Sequence, residues 1–391
     1  MIYLDHAATT AVHPEVIREM EPYFGELYAN PSGVYEFSED AKEILQRVRQ
    51  RIADSIGAES NEIYFTSGGT ESDNWALVGA AEGMRNRGRH IITSCIEHHA
   101  ILRACEYLET RGYDITYLPV DAEGRVSIEE LERAIRPDTI LISIMFANNE
   151  VGTVQPIQEI GAIAERNGIL FHTDAVQAYL HEKIDVGKMG IGMLSASSHK
   201  FQGPKGVGFL YVRSGIDLPS FLHGGSQERG RRAGTENVAG IVGMGKAVAV
   251  GEREYQKNHE KMLSLREYLL HRLETEIPFC KINGSRKDRL DGNVNVSFRF
   301  LEGESLIILL DMEGICVSGG SACAASEHTV SHVLQGIGLP PEFSRGTIRI
   351  SLGAENTIEE MEYVADKIKE LVGNLREFSE EYLELQEKGF V

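Results

Sequence analysis

Four short stretches hold residues whose types and spacing could do chemistry. Residues 318–326, SGGSACAAS, set Cys323 among serine, glycine and alanine only. The stretch has too little apolar bulk for a core strand, and it lacks the second cysteine of a disulfide or a CxxC metal site. Gly319 and Gly320 give the segment backbone freedom, a small and flexible frame for a thiol. Residues 195–208, SASSHKFQGPKGVG, put Lys200 directly after an apolar run and before a Gly/Pro-rich turn. Most lysines are solvated surface residues, but a lysine at the mouth of a site can form a Schiff base. Residues 66–74, TSGGTESDN, offer small residues, hydroxyls and backbone N–H groups where a strand turns into a helix. That is a ready anion site, most often for phosphate, although a Gly-Gly turn also serves geometry alone. Residues 171–177, FHTDAVQ, place Asp174 just past an apolar run, where a helix N-cap is the other reading. His172 and Asp174 lack a third ligand at metal spacing, so no metal is expected.

The elements that must position these residues follow from alternating texture. Short β-rich runs (62–65, 90–95, 140–146, 168–171, 192–197 and 206–212) are separated by longer stretches with apolar residues at helical spacing. This alternation predicts an α/β fold with a mostly parallel sheet covered by helices. Ligands in such sheets sit beyond the carboxyl ends of the strands, which is where Lys200, Asp174 and the Gly-Gly turn fall. A long helical stretch is expected over 236–276. The strand-like runs 293–298 and 348–352, flanked by helical segments, predict a smaller α+β domain at the C-terminal end. The expected division is 13–256 for the large domain, and 1–12 with 257–391 for the small one, which carries the cysteine segment.

A phosphate cradle, an acid at one strand end and a lysine at another together match what pyridoxal phosphate requires. The phosphate anchors the cofactor, the acid keeps the pyridine nitrogen protonated, and the lysine holds the aldehyde. The motifs YLDHAATT, TSGGTESDN, EHHAIL, NNEVGTVQPI, HTDAVQA, SSHKFQGPKGVG, RRAGTENV and SGGSACAAS occur in that order from residue 3 to about residue 326. With IRISL near residue 350, they resemble the cysteine desulfurases of the NifS/IscS-like branch, within the class V, fold type I pyridoxal-phosphate enzymes. The resemblance implies a large domain with a seven-stranded sheet and a function in removing sulfur from L-cysteine. L-Alanine and a persulfide on Cys323 would be the products. It further implies that Lys200 is the Schiff-base lysine, Asp174 the pyridinium partner and His98 the residue stacked on the cofactor ring. Gly69, Thr70, Ser197 and His199 would hold the phosphate, while Asn149 and Gln177 would contact the ring substituents. Thr235 would reach the phosphate of a neighbouring subunit, so a homodimer is expected. Arg349, with Asn149, would bind the substrate carboxylate. Two features depart from the pattern: Tyr35 stands where relatives commonly have histidine, and the acidic C-terminus lacks the tail with which some relatives dock an iron-sulfur scaffold.

Composition sets the remaining bounds. The chain has 391 residues, 42% hydrophobic and 25% charged, with a formal net charge of −20. That charge disfavours non-specific binding to nucleic acid or an anionic membrane. The N-terminus carries no basic region followed by an apolar core. Five scattered cysteines read as reduced thiols, so a cytoplasmic protein is expected. The sulfur acceptor expected from the resemblance is an iron-sulfur scaffold or an enzyme thiolating tRNA or thiamine. A class V aminotransferase or a selenocysteine lyase would share Lys200 and Asp174. An inactive scaffold would need neither Lys200 nor Cys323.

Overall fold

The computed structural model describes residues 1–319 and 331–388, so Cys323 and Gly320 lie outside the described residues. The strands are β1 (Ile2–Tyr3), β2 (Ile63–Thr66), β3 (His90–Ser94), β4 (Asp114–Leu118), β5 (Thr139–Ser143), β6 (Leu170–Asp174), β7 (Met193–Ser197), β8 (Gly208–Val212), β9 (Cys280–Ile282), β10 (Asn293–Phe298), β11 (Ile315–Cys316) and β12 (Thr347–Ser351). Seven form one sheet in the order β2-β8-β7-β6-β5-β3-β4, with β8 antiparallel to both neighbours and the remaining pairs parallel. Strands β3, β5, β6 and β7 are buried along their whole length. A parallel sheet covered by helices on both faces demands this, and it is why the runs read as continuous apolar stretches. The expected α/β architecture with a seven-stranded sheet is therefore present.

One strand of the seven-stranded sheet has no counterpart among the expected runs. β4, DITYL, is an edge strand on which only Leu118 is buried, so its sequence never becomes an apolar run. The expected long helix is a single element, Val238–Glu276, of 39 residues. At 1.5 Å per residue it is about 58 Å long, enough to serve two cores. Its first part, including Ile241, Met244 and Val248, packs into the core beneath the large sheet. Its last part, including Leu265, Leu269 and Leu273, packs into a second core with Val294, Val296, Ile348 and Ile350. The helix runs unbroken through residue 257, the position read as a junction.

That second core lies against a three-stranded antiparallel sheet, β12-β10-β9. The N-terminal strand β1 crosses to this side and pairs in parallel with β11, and Asp5 bridges to Ser351 of β12. The chain between β1 and the helix Pro14–Met20 therefore passes between the two sheets and faces the site described next. No helix among the described residues is long and apolar enough to cross a membrane.

Candidate active site

A cavity of about 330 Å³ opens at the carboxyl ends of the parallel strands. Its lining includes ten of the residues predicted for the site: Gly69, Thr70, His98, Asn149, Asp174, Gln177, Ser197, His199, Lys200 and Arg349. Topology explains the convergence. β2 leads to Gly69, β3 to His98, β5 to Asn149, β6 ends at Asp174, and β7 ends at Ser197 just before Lys200. Thr235 is not among the lining residues and is exposed. Tyr35 is exposed and away from the cavity.

The end of the cavity beside Gly69 is built by backbone. Gly68 adopts φ +151°, which glycine tolerates, and starts the helix Gly69–Gly83 without any side-chain cap. Its first amides therefore lack the partners that a capping side chain would supply. A Cβ on Gly69 would lie 2.6 Å from Val176 Cγ2, so only glycine lets the helix start come this close to the segment after β6. Ser197 and His199 stand beside it. Burial, reinforced by Lys200 and Lys205, lowers the His199 pKa to about 4, so its imidazole is a neutral hydrogen-bonding group. Thr9 Oγ1 lies 3.1 Å from its Nδ1.

Asp174 is 6% exposed. Desolvation raises its pKa, opposed by His98, the amide of Val176 and Lys200. Its Oδ1 accepts the Val176 amide at 2.9 Å, so the N-cap reading of this residue is met as well. A buried carboxylate held only in part by its surroundings favours a cationic partner, which a protonated pyridine nitrogen provides. His98 caps the helix His99–Thr110 by accepting the Ala100 amide at 3.1 Å through Nδ1, which fixes its ring at the cavity wall. Lys200 Nζ donates to the carbonyls of Ala7 at 2.5 Å and Ala8 at 2.9 Å. Gln177 Nε2 also donates to Ala7 O. These carbonyls, from the chain passing between the two sheets, hold the amine in place. The backbone cradle, the buried acid and the oriented amine fit pyridoxal phosphate.

The opposite wall belongs to β12. Arg349 is 2% exposed. Its Nη2 pairs with Asp5 Oδ1 at 2.7 Å, its Nη1 donates to Asn149 O at 3.0 Å, and its buried Nε has no hydrogen-bond partner among the described residues. His172 does not join the site, because its ring nitrogens face Ser143 and Ser195 and burial lowers its pKa to about 3. Asp73, His98 and Asp174 do bring ligating atoms within 4.8 Å of one another, a grouping that the spacing near His172 did not indicate.

Several lining residues had no expected role: Asp73, His99, Glu150 and His332. The first three stand inside motifs already singled out, but nothing in a sequence marks a charge as buried. Three other thiols, Cys95, Cys105 and Cys280, are poorly suited to nucleophilic work. Burial raises the pKa of Cys95 and Cys105 and pushes Cys280 up to about 12, which keeps these sulfurs protonated.

A family model described as aminotransferase class-V matches residues 2–364. "Cysteine desulfurase IscS" of Methanosarcina thermophila is 53% identical over 378 residues, 97% of this chain and 93% of that protein. The chain belongs to the aminotransferase class-V family, in its cysteine desulfurase branch. A solved "NifS-like protein" superposes with a TM-score of 0.90 at 38% identity, covering 95% of this chain and 99% of that one. A structure described as "SspA in complex with cysteine" gives a TM-score of 0.82 at 40% identity, with coverages of 91% and 100%. Family membership makes this chain an enzyme, and it brings the expectation of pyridoxal-phosphate dependence to a cavity whose residues fit that cofactor.

Proposed function

We propose that the chain removes sulfur from L-cysteine, giving L-alanine and a persulfide on Cys323. The observation that carries this reading is the convergence, in one cavity, of the Lys200 amine, the buried Asp174 carboxyl and Arg349. Bound there, pyridoxal phosphate supplies an electron sink for bonds broken next to the substrate α-carbon. Asp174 would hold the proton on the ring nitrogen, and His98 would pack on the ring. The amides of Gly69 and Thr70, with Ser197 and His199, would hold the phosphate, and Asn149 and Gln177 would set the ring's substituents. Lys200 would hold the aldehyde and then, once free, move the substrate α-proton. Arg349 and Asn149 would bind the substrate carboxylate. The Cys323 thiolate would attack the substrate sulfur. The carbon–sulfur bond breaks and an S–S bond forms, and the carbon left behind gains a proton, so L-cysteine and a thiol become L-alanine and a persulfide.

The same reading extends to assembly. A homodimer would bring Thr235 to the partner's phosphate site, and the persulfide sulfur would pass to an acceptor protein of iron-sulfur assembly or of tRNA or thiamine thiolation. A cytoplasmic setting suits free thiols. The division into units 13–256 and 1–12 with 257–391 draws support from the two cores that share the long helix.

The test separates the two halves of the reaction. Borohydride reduction of the holoenzyme should fix the cofactor to Lys200 in a mapped peptide. Cys323→Ala should still bind cofactor and still change its absorbance with L-cysteine, yet release no more than a trace of alanine. Normal alanine release by Cys323→Ala, or reduction onto Lys205, would defeat the reading.

A further inference from the structure

Glu150 occupies an unusual electrostatic position. It is 1% exposed and lines the cavity on the side of Arg349. Its carboxylate accepts a hydrogen bond from Ser331 Oγ at 2.6 Å, and no cation among the described residues forms an ion pair with it. Ser331 is in turn the N-cap of the helix His332–Gly336, accepting the amides of Val333 and Leu334. The Glu150 backbone is clamped as well, because its carbonyl accepts Asn293 Nδ2 at 3.0 Å and Asn295 Nδ2 at 3.2 Å. The side chain therefore has little room to leave.

The charges around it do not balance once a substrate carboxylate arrives. Arg349 on β12 is already paired with Asp5 of the N-terminal segment. Among the described residues, the other titratable groups of the cavity are His98 and His99 at one helix start, His332 at another, and Asp73, Asp174, His199 and Lys200. Burial lowers the pKa of His98, His332 and His199, so they bring no fixed positive charge to this end. Lys200 donates to the carbonyls of Ala7 and Ala8. Adding a substrate carboxylate would set three carboxyl groups beside one guanidinium in a buried space. Like charges that close cannot all remain ionised. The one to yield is Glu150, whose partner is a hydroxyl and not a cation.

We infer that Glu150 is a proton-linked selector for the substrate carboxylate: the site accepts that anion when Glu150 is neutral and resists it when Glu150 is ionised. This rests on the assignment of Arg349 as the carboxylate partner. Burial pushes Glu150 up to about 7, against the pull of Ser331 and Arg349, which sets the switch near neutrality. Glu150 acts through charge and position and takes no part in bond breaking.

The probe is 3-mercaptopropionate, which keeps the carboxylate and thiol of cysteine but lacks the amine. Its dissociation constant is measured by calorimetry on holoenzyme and on cofactor-free protein between pH 5.5 and 9. In the wild type it should be flat at acid pH and rise by about tenfold per pH unit above the bend, the slope for one linked proton. Glu150→Gln, permanently neutral, should keep the tight value across the range. Ser331→Ala, which removes the hydroxyl favouring the ionised form, should move the bend to higher pH. A flat wild-type plot, an equal slope in Glu150→Gln, or an unmoved bend in Ser331→Ala would overturn the inference. Alanine formation from L-cysteine is scored separately. An enzyme that makes alanine but shows equal slopes refutes this inference alone, whereas one that shows the slopes but makes no alanine refutes the desulfurase reading alone.

Discussion

At Asp174, one buried oxygen decides between two very different cavities. The carboxyl is nearly out of water, and its Oδ1 accepts the Val176 amide. In the proposed site an ionised Asp174 would stabilise a proton on the ring nitrogen, and an asparagine of the same shape could not supply that charge. Asp174→Asn is therefore expected to keep cofactor bound through the backbone cradle while losing at least about 100-fold in alanine release, the scale of removing one electrostatic stabiliser. Turnover near wild type, measured as alanine per bound cofactor, would reject the role. Asp174, Lys200 and the Gly-Gly turn were legible in the sequence because each directly ends or follows a strand run. The carbonyls of Ala7 and Ala8 were not. They meet Lys200 across a separation of more than 190 residues, and no local periodicity encodes a contact between chain segments so far apart. Glu150 and Asp73 were visible as letters, but their burial was not, and burial is what changes their chemistry.

Among the elements, the helix Gly69–Gly83 would place the proposed anion site by its distance from the segment after β6. That distance depends on Gly69 having no side chain, since a Cβ would stand 2.6 Å from Val176 Cγ2. Overpacking of this kind costs about 1–3 kcal/mol, and the strain falls where the phosphate is to be held. Gly69→Ala should therefore raise the cofactor dissociation constant by about tenfold or more, equivalent to about 1.4 kcal/mol. Val176→Ala in the same chain should restore most of it by vacating the contact. Equilibrium dialysis checks both, and a double variant no better than Gly69→Ala would show that the contact is not the cause. The legibility of elements followed the same physics. Strands buried on both faces declared themselves as apolar runs, whereas the half-exposed edge strand β4 did not. The junction near residue 257 fell inside a helix because the helix is continuous while the cores it serves are not.

For the whole molecule, two expectations concern how large pieces are held together. The exposed Thr235 lies in a segment anchored by Glu228, which is buried and bound at two points to Arg49, at 2.8 Å each. A dimer that uses Thr235 should sediment as one at micromolar concentration, and a monomer with full activity would rule it out. The second expectation concerns the junction between the large sheet and the small unit. Asp291, 2% exposed and just before β10, faces His181 Nδ1 at 3.2 Å and His259 Nδ1 at 3.1 Å. His181 belongs to the turn after β6, and His259 to the long helix, so the carboxylate ties three segments together. Burial opposes a charge on His181, but the hydrogen bond and charge of Asp291, helped by Glu182, outweigh it and raise the pKa. A histidine with a raised folded-state pKa contributes stability that is fully present below its unfolded value, about 6.5. That contribution is lost as pH rises through the folded value. Glutamine at this position can still donate to Asp291 but carries no charge. The melting temperature of the wild type should therefore exceed that of His181→Gln most clearly near pH 6, and the gap should shrink steadily toward pH 9. Thermal unfolding followed by circular dichroism, with both proteins in the same cofactor state, makes the comparison. A gap that stays constant or widens with pH would show that the pair does not hold a proton in the folded protein, and the junction would then owe its stability to the shared helix and not to this charge.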